Sequence, residues 1–110
     1  MKLPDGERAL VDIDKLRGYC LNANHPRGRH KARVFASVGI READAEDLRT
    51  ALLQAAIHMD AQLGTLDPYG QRYLIDFELV RQTRTVRIRS TWIVLTGQDH
   101  SPRLTSCYVL

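Results

Sequence analysis

After the turn signal Asp67-Pro68-Tyr69-Gly70, the period at which apolar residues recur changes from helical to twofold, and this constrains the fold more than any other feature. Tyr73, Ile75, Phe77 and Leu79 alternate with Leu74, Asp76, Glu78 and Val80. Farther on, Val86, Ile88, Ser90, Trp92 and Val94 take one side, while Thr85, Arg87, Arg89, Thr91 and Ile93 take the other. A half-buried strand needs such alternation, because successive side chains leave opposite faces of a sheet. A loop through Gly97, Gln98, Asp99, His100, Ser101 and Pro102 leads to a last strand over 104–109.

Upstream the period is helical. Asp12 or Asp14 can cap a helix over 15–21, with Leu16, Tyr19 and Cys20 on one face. A second helix is expected from Arg29 or His30 to Val38, burying Val34, Phe35 and Val38, with Gly39 as the left-handed residue after its end. A third is expected from Asp44 through Leu48, Leu52, Ala55 and Met59, ended by Gly64. Lys2-Leu3 and Ala9-Leu10-Val11 flank the turn Pro4-Asp5-Gly6-Glu7 and can form a small hairpin or edge strand. Helices followed by a meander of strands predict an α+β fold. The N-terminal helices should pack on one face of an antiparallel sheet formed mainly by the C-terminal half. At 110 residues one hydrophobic core suffices, so a single domain over 1–110 is expected.

The charge distribution says more than the net +3, since basic residues concentrate in two stretches free of acid. One is His25-Pro26-Arg27-Gly28-Arg29-His30-Lys31-Ala32-Arg33; the other runs from Arg81 through Arg84 and Arg87 to Arg89. Arginine binds phosphate through a planar fork, so the clusters point to a polyanion, RNA above all. A solvated basic surface is the plainer reading, but it does not require clustering. No stretch is apolar and long enough to span a bilayer, and the first residues lack the apolar core of a signal peptide, so a cytoplasmic protein with no membrane partner is expected. Cys20 and Cys107 are too few for a disulfide framework and read as buried thiols. His25 and His30 match no zinc spacing, and neither metal nor cofactor is expected.

The stretch from His25 through Gly28-Arg29-His30-Lys31-Ala32 to Val34-Phe35, preceded by Asp14-Lys15-Leu16 and Tyr19-Cys20-Leu21-Asn22, resembles a bacterial domain family of unknown function. Ser90-Thr91-Trp92-Ile93-Val94 and the run from Pro102 to Val109 match that family's C-terminal half, so the resemblance spans nearly the whole chain. Such domains occur alone beside a small partner gene, and at the tips of phage-head proteins and polymorphic toxins. The resemblance implies a toxin-like activity and a small acidic antitoxin-like partner. More remotely, the order of elements is similar to that of the ribonuclease toxins that include barnase, EndoU, colicins and RelE, a likeness of topology that does not by itself assign chemistry.

Cleaving RNA without a metal needs a base for the 2′-hydroxyl, an acid for the departing 5′-oxygen and cations for the phosphorane. His30, Lys31, Arg87 and Arg89 can supply all three. His30 is the natural proton carrier, placed where a helix start favours phosphate. His25, Arg27, Arg29 and Arg33 would bind the RNA along its phosphates, with Thr91 and Thr105 either as ordinary strand residues or as hydroxyls that hold the scissile phosphate. Each residue also has a structural reading. His30 can cap its helix, Lys31 can snorkel from the core edge, and Arg87 and Arg89 can pair with Asp76 and Glu78 across strands. Trp92, and Tyr108 with Leu104 and Ser106, read as core. The sequence therefore predicts a metal-independent endoribonuclease. Its alternatives are a non-catalytic RNA-binding module and a protein-interaction domain that docks an acidic partner.

Overall fold

The structure, a computed structural model, describes residues 1–97 and 99–110; residue 98, in the loop expected between Gly97 and Pro102, lies outside the described residues. Helices α1 (Ile13–Lys15), α2 (Arg29–Ser37) and α3 (Ala45–His58) precede strands β1 (Gln62–Asp67), β2 (Gly70–Arg81), β3 (Arg84–Leu95) and β4 (Arg103–Val109). The strands form one antiparallel meander in the order β1-β2-β3-β4. This is the expected α+β arrangement. Among the described residues no helix is long and apolar enough to cross a membrane.

Asp12 caps α1, accepting from the Asp14 backbone N–H at 2.9 Å. The chain then passes into a π-helical turn, Leu16–Cys20, which places Leu16 and Cys20 fully in the core. In α2 the buried residues are Ala32 and Phe35. Val34, expected inside, is 45% exposed, because the buried stripe is centred on Phe35 and Val34 lies about 100° from it around the helix. Gly39 follows with φ 85°, as expected of the left-handed residue after a helix. Helix α3 buries Leu48, Leu52 and Ala55 along one face. It ends at His58 instead of running to Gly64, and the backbone turns extended at Met59, which is 40% exposed.

Gly64 lies inside β1, a strand the sequence does not announce. Gln62 to Leu66 are all exposed, so no alternation marks them, and the strand is held by pairing to β2 alone. Asp67 turns the chain into β2 by accepting from the N–H groups of Tyr69 and Gly70. The expected N-terminal hairpin is absent from the described residues. Lys2 instead bridges Asp60, and Leu10 bridges Arg103, so the first residues tie the helical layer to the sheet.

Strands β2 and β3 pair without interruption from Gly70↔Leu95 to Arg81↔Arg84. Tyr73, Ile75, Phe77, Val86, Ile88 and Trp92 face the helices and form the core with Leu16, Phe35, Leu48 and Leu52. Ser90 joins that face as a polar residue with no exposure. Its hydroxyl donates to Ile75 O at 2.8 Å and accepts from Trp92 Nε1 at 2.9 Å, so every group of the trio is paired. Replacing it leaves the buried indole N–H unmet, while the Ile75 carbonyl keeps only its ladder bond to the Ser90 backbone. Ser90→Ala is expected to lower stability by about 1–3 kcal/mol in urea titration, although it removes only one oxygen atom.

Candidate active site

The face of the sheet turned away from the helices carries rows of side chains set by strand register. Leu74, Thr91 and Ser106 form one row, Asp76, Arg89 and Tyr108 the next, and Glu78 and Arg87 a third. In the middle row, Arg89 Nε donates to Asp76 Oδ1 at 2.8 Å and Nη2 donates to Oδ2 at 2.9 Å. Two parallel bonds fix the guanidinium plane. The Arg89 hydrogen bonds hold the Asp76 carboxyl below its usual range, outweighing the opposite effect of burial. Asp76 and the Tyr108 hydroxyl in turn hold Arg89 in its charged form.

From the helical layer, the Lys31 ammonium lies 4.8 Å from the centre of the Tyr108 ring, within cation–π range. A continuous chain of contacts therefore runs Lys31, Tyr108, Arg89, Asp76. The neighbouring row is bonded too. The hydroxyls of Thr91 and Thr105 are 2.6 Å apart, and Thr91 donates to Ser106 O at 3.3 Å. Ser106 Oγ is buried with no hydrogen-bond partner among the described residues.

The loop before α2 fixes where that helix starts. His25 Nδ1 accepts from the N–H groups of Arg27 at 3.0 Å and Gly28 at 3.1 Å, so that nitrogen carries no proton. The ring stands edge-on to Tyr19, with centres 4.7 Å apart. A Cβ at Gly28 would sit 2.5 Å from Tyr19 O, so only glycine lets the loop close on the Leu16–Cys20 turn. His25 thus builds the loop, and His30 is left as the exposed imidazole of the first turn of α2. Arg27, Arg29, His30 and Arg33 are all exposed, and among the described residues none has an ion pair or a side-chain hydrogen bond.

The second arginine cluster is largely engaged. At the tip of the β2–β3 hairpin, Arg84 donates to Ser37 O at 3.2 Å and Arg81 to Gly39 O at 3.2 Å, where the last carbonyls of α2 attract cations. Arg81 also pairs with Asp44 at 3.0 Å and Asp47 at 3.4 Å. These two arginines sit at the C-terminal end of α2, about 14 Å along the axis from its basic start. Arg87 is exposed opposite Glu78. The structure therefore brings Lys31 and Arg89 together through Tyr108, with Thr91 and Thr105 one row away. His30, Arg27, Arg29 and Arg33 lie on the adjoining exposed helix start.

Asp76 was read as a cross-strand partner of the arginines, and it pairs with Arg89, which the short turn at Gln82-Thr83 fixes opposite it. Sequence reasoning missed one member of this cluster. Tyr108 was read as core with Leu104, and it is half-buried on the open face instead. A bulge in the β3–β4 ladder inserts Thr105 between the pairs Thr91↔Ser106 and Trp92↔Leu104 and reverses the alternation beyond it. No signal in the alternation itself reveals such an insertion.

Behind Tyr108, on the core face, Cys107 and Cys20 are free, fully buried thiols. A hydrogen bond from Cys107 lowers the Cys20 thiol to about 7. Donating that bond, together with burial, pushes Cys107 up. Among the described residues no three His, Cys, Asp or Glu side chains gather as a metal site would require. Asp76 and Arg87 also border a hollow of about 490 Å³ between α3 and β2, but Ala51, Ala55, Met59 and Phe77 give it a largely apolar wall.

One protein family's sequence profile matches the chain over residues 2–110, that described as Domain of unknown function (DUF6883). Neither the curated proteins nor the solved structures contain a match.

The Asp76–Arg89 pair gives a pH-dependent expectation. A carboxyl held low in the folded state contributes stability that is fully present above its unfolded value, near ~3.9, and is lost as pH falls through the lower folded value. At pH 7, Asp76→Asn is expected to cost about 1–2 kcal/mol, a modest amount because Arg89 keeps 33% of its side chain exposed. Thermal melts of the two proteins should differ most near neutrality and converge below about pH 4. A gap that persists unchanged into acid would show that the pair does not set the difference.

Proposed function

We propose that this chain, which belongs to the DUF6883 family, is a toxin-like, metal-independent endoribonuclease acting on cytoplasmic RNA. The observation that carries the proposal is the chain of contacts from Lys31 through Tyr108 and Arg89 to Asp76, beside an arginine patch that has no ion pair among the described residues. In this reading Arg27, Arg29 and Arg33 guide the RNA backbone, and Lys31 and Arg89 take the scissile phosphate. Asp76 holds Arg89 in place. Its lowered pKa makes it a poor proton acceptor near neutral pH, and the exposed imidazole of His30 takes that role.

The step balances without a cofactor. The 2′-oxygen bonds to phosphorus as its proton passes to His30, and the bond to the 5′-oxygen breaks as that oxygen is protonated by Tyr108. Tyr108 lies directly across the strand pair from Arg89, half-buried on the open face where the phosphate would sit. The charge gathered on phosphorus in between is met by Lys31 and Arg89. The products are a 2′,3′-cyclic phosphate and a 5′-hydroxyl. A small acidic protein covering the arginine patch is the partner this proposal implies, with fast association at low salt.

Incubating the purified protein with total RNA in chelator tests the reading. Cleavage with cyclic phosphate ends is expected. His30→Ala should cut ~10²-fold more slowly or worse at nearly unchanged RNA affinity, since it removes a proton carrier and few phosphate contacts. Lys31→Ala and Arg89→Ala should lose both binding and rate. Binding that weakens steeply with salt but never leads to cleavage would leave a non-catalytic RNA-binding module. Capture of an acidic protein with no RNA retention would leave a docking domain.

A further inference from the structure

One row along the strands from Arg89, a hollow of about 240 Å³ opens beside Leu74, Thr91 and Thr105. Its far wall is the backbone of β1 at Gly64 and Thr65. That wall is fixed, because Gln71 Nε2 donates to both Gly64 O and Arg72 O at 3.0 Å. Gly64 packs tightly there, since a Cβ would meet Arg72 O at 3.0 Å and push the strands apart by a few tenths of an ångström. Of the described residues lining the hollow only Arg72 is charged, and Asp67 already holds it at 2.8 Å. The hollow therefore offers a phosphate no uncommitted cation.

It does offer an apolar surface with a polar edge. Thr91 gives its proton either to Ser106 O, so that Thr105 donates the mutual bond and the pair turns an acceptor outward, or to Thr105, whose own O–H then points outward as a donor. Beside it, the buried Ser106 hydroxyl still lacks a partner among the described residues. A flat, neutral ring with hydrogen-bonding groups on its rim is the complementary ligand. The Arg89 row lies about 7 Å away, two residues along each strand, which is within the reach of one nucleotide from phosphate to base.

We infer that this hollow is a nucleobase subsite, in which Thr91 and Thr105 read one base of the RNA strand whose phosphate lies at Lys31 and Arg89. The inference rests on the proposed function for the presence of RNA, but not for its cleavage. It changes the expected role of the two threonines, from holding the scissile phosphate to recognising a base, and gives the protein a sequence preference.

The test uses a dye-labelled hexanucleotide with 2′-fluoro sugars, which has no 2′-hydroxyl to attack, together with six versions each lacking one base. Binding is read by fluorescence anisotropy at low salt. For the unaltered protein, one abasic position should weaken binding about tenfold, the worth of one or two neutral hydrogen bonds. In the double variant Thr91→Val, Thr105→Val the shape stays β-branched while both hydroxyls are lost. Its penalty at that position should shrink to about twofold or less, with binding of the abasic strand unchanged. A melting temperature close to that of the unaltered protein checks that the variant is folded. Binding of every strand with no sensitive position, or a penalty that survives in the variant, overturns the subsite and leaves the proposed enzyme standing. A sensitive position abolished by the variant, in a protein that cuts no RNA, would uphold the subsite and overturn the enzyme. Failure to bind any strand would overturn both.

Discussion

The register of the β2–β3 hairpin is the constraint on which both sides of the molecule depend. Side chains alternate strictly along a strand, so a slip of one residue would carry Ile75, Phe77, Ile88 and Trp92 to the open face and bring Asp76 and Arg89 into the core. Three sets of contacts oppose that slip. Ser90 bonds across to Ile75 and receives the Trp92 indole on the buried side. Asp76 and Arg89 form a two-point pair on the other. Arg81 and Arg84 fasten the tip to the end of α2. Gln82 takes a positive φ of 55° in the turn itself, a conformation that glycine would adopt at less cost, so the surrounding contacts must hold it.

The same contacts redistribute charge. Counted along the sequence, the stretch from Arg81 to Arg89 is as basic as the stretch from Arg27 to Arg33, yet the two differ in the fold. Arg81 meets two carboxylates and a backbone carbonyl, Arg84 meets a carbonyl, and Arg89 meets Asp76. The charge of Arg81 is spent within the protein, and that of Arg89 is shared with Asp76 on the open face. The first cluster faces water at the start of α2, and electrostatic attraction of a polyanion would be concentrated there. Lys31 links the two regions, because it leaves the basic helix start and ends on the ring of Tyr108.

Period was the legible part of the fold. The twofold alternation of 73–80 and 85–94 located the long hairpin, and the helical recurrence of Leu48, Leu52 and Ala55 located α3. Strand β1 was not legible, since it buries almost nothing and exists by pairing with β2. Of the site, the alternation placed Arg87, Arg89 and Thr91 on one face. It could not tell which arginines would find carboxylates, because Arg81 is paired by residues from α3 and the turn before it, far away in sequence. His25 shows the same limit. Its residue type suggested phosphate binding, and the fold gives one of its two ring nitrogens to the backbone of its own loop, which no pattern of residue types announces.

The extra residue Thr105 shows how core and site constrain each other. Leu104 and Cys107 both belong to the core, and a separation of three residues cannot put two side chains on one face of a regular strand. One inserted residue resolves the conflict, letting Leu104 pair with Trp92 and Cys107 with Ser90. The insertion also moves Tyr108 out to face Arg89 and leaves Thr105 over, with its hydroxyl on Thr91. A regular β4 that kept Leu104 buried would turn Tyr108 inward and break the contact with Lys31. The bulge therefore serves the packing of the buried face and the assembly of the polar face at once, and neither could be changed alone.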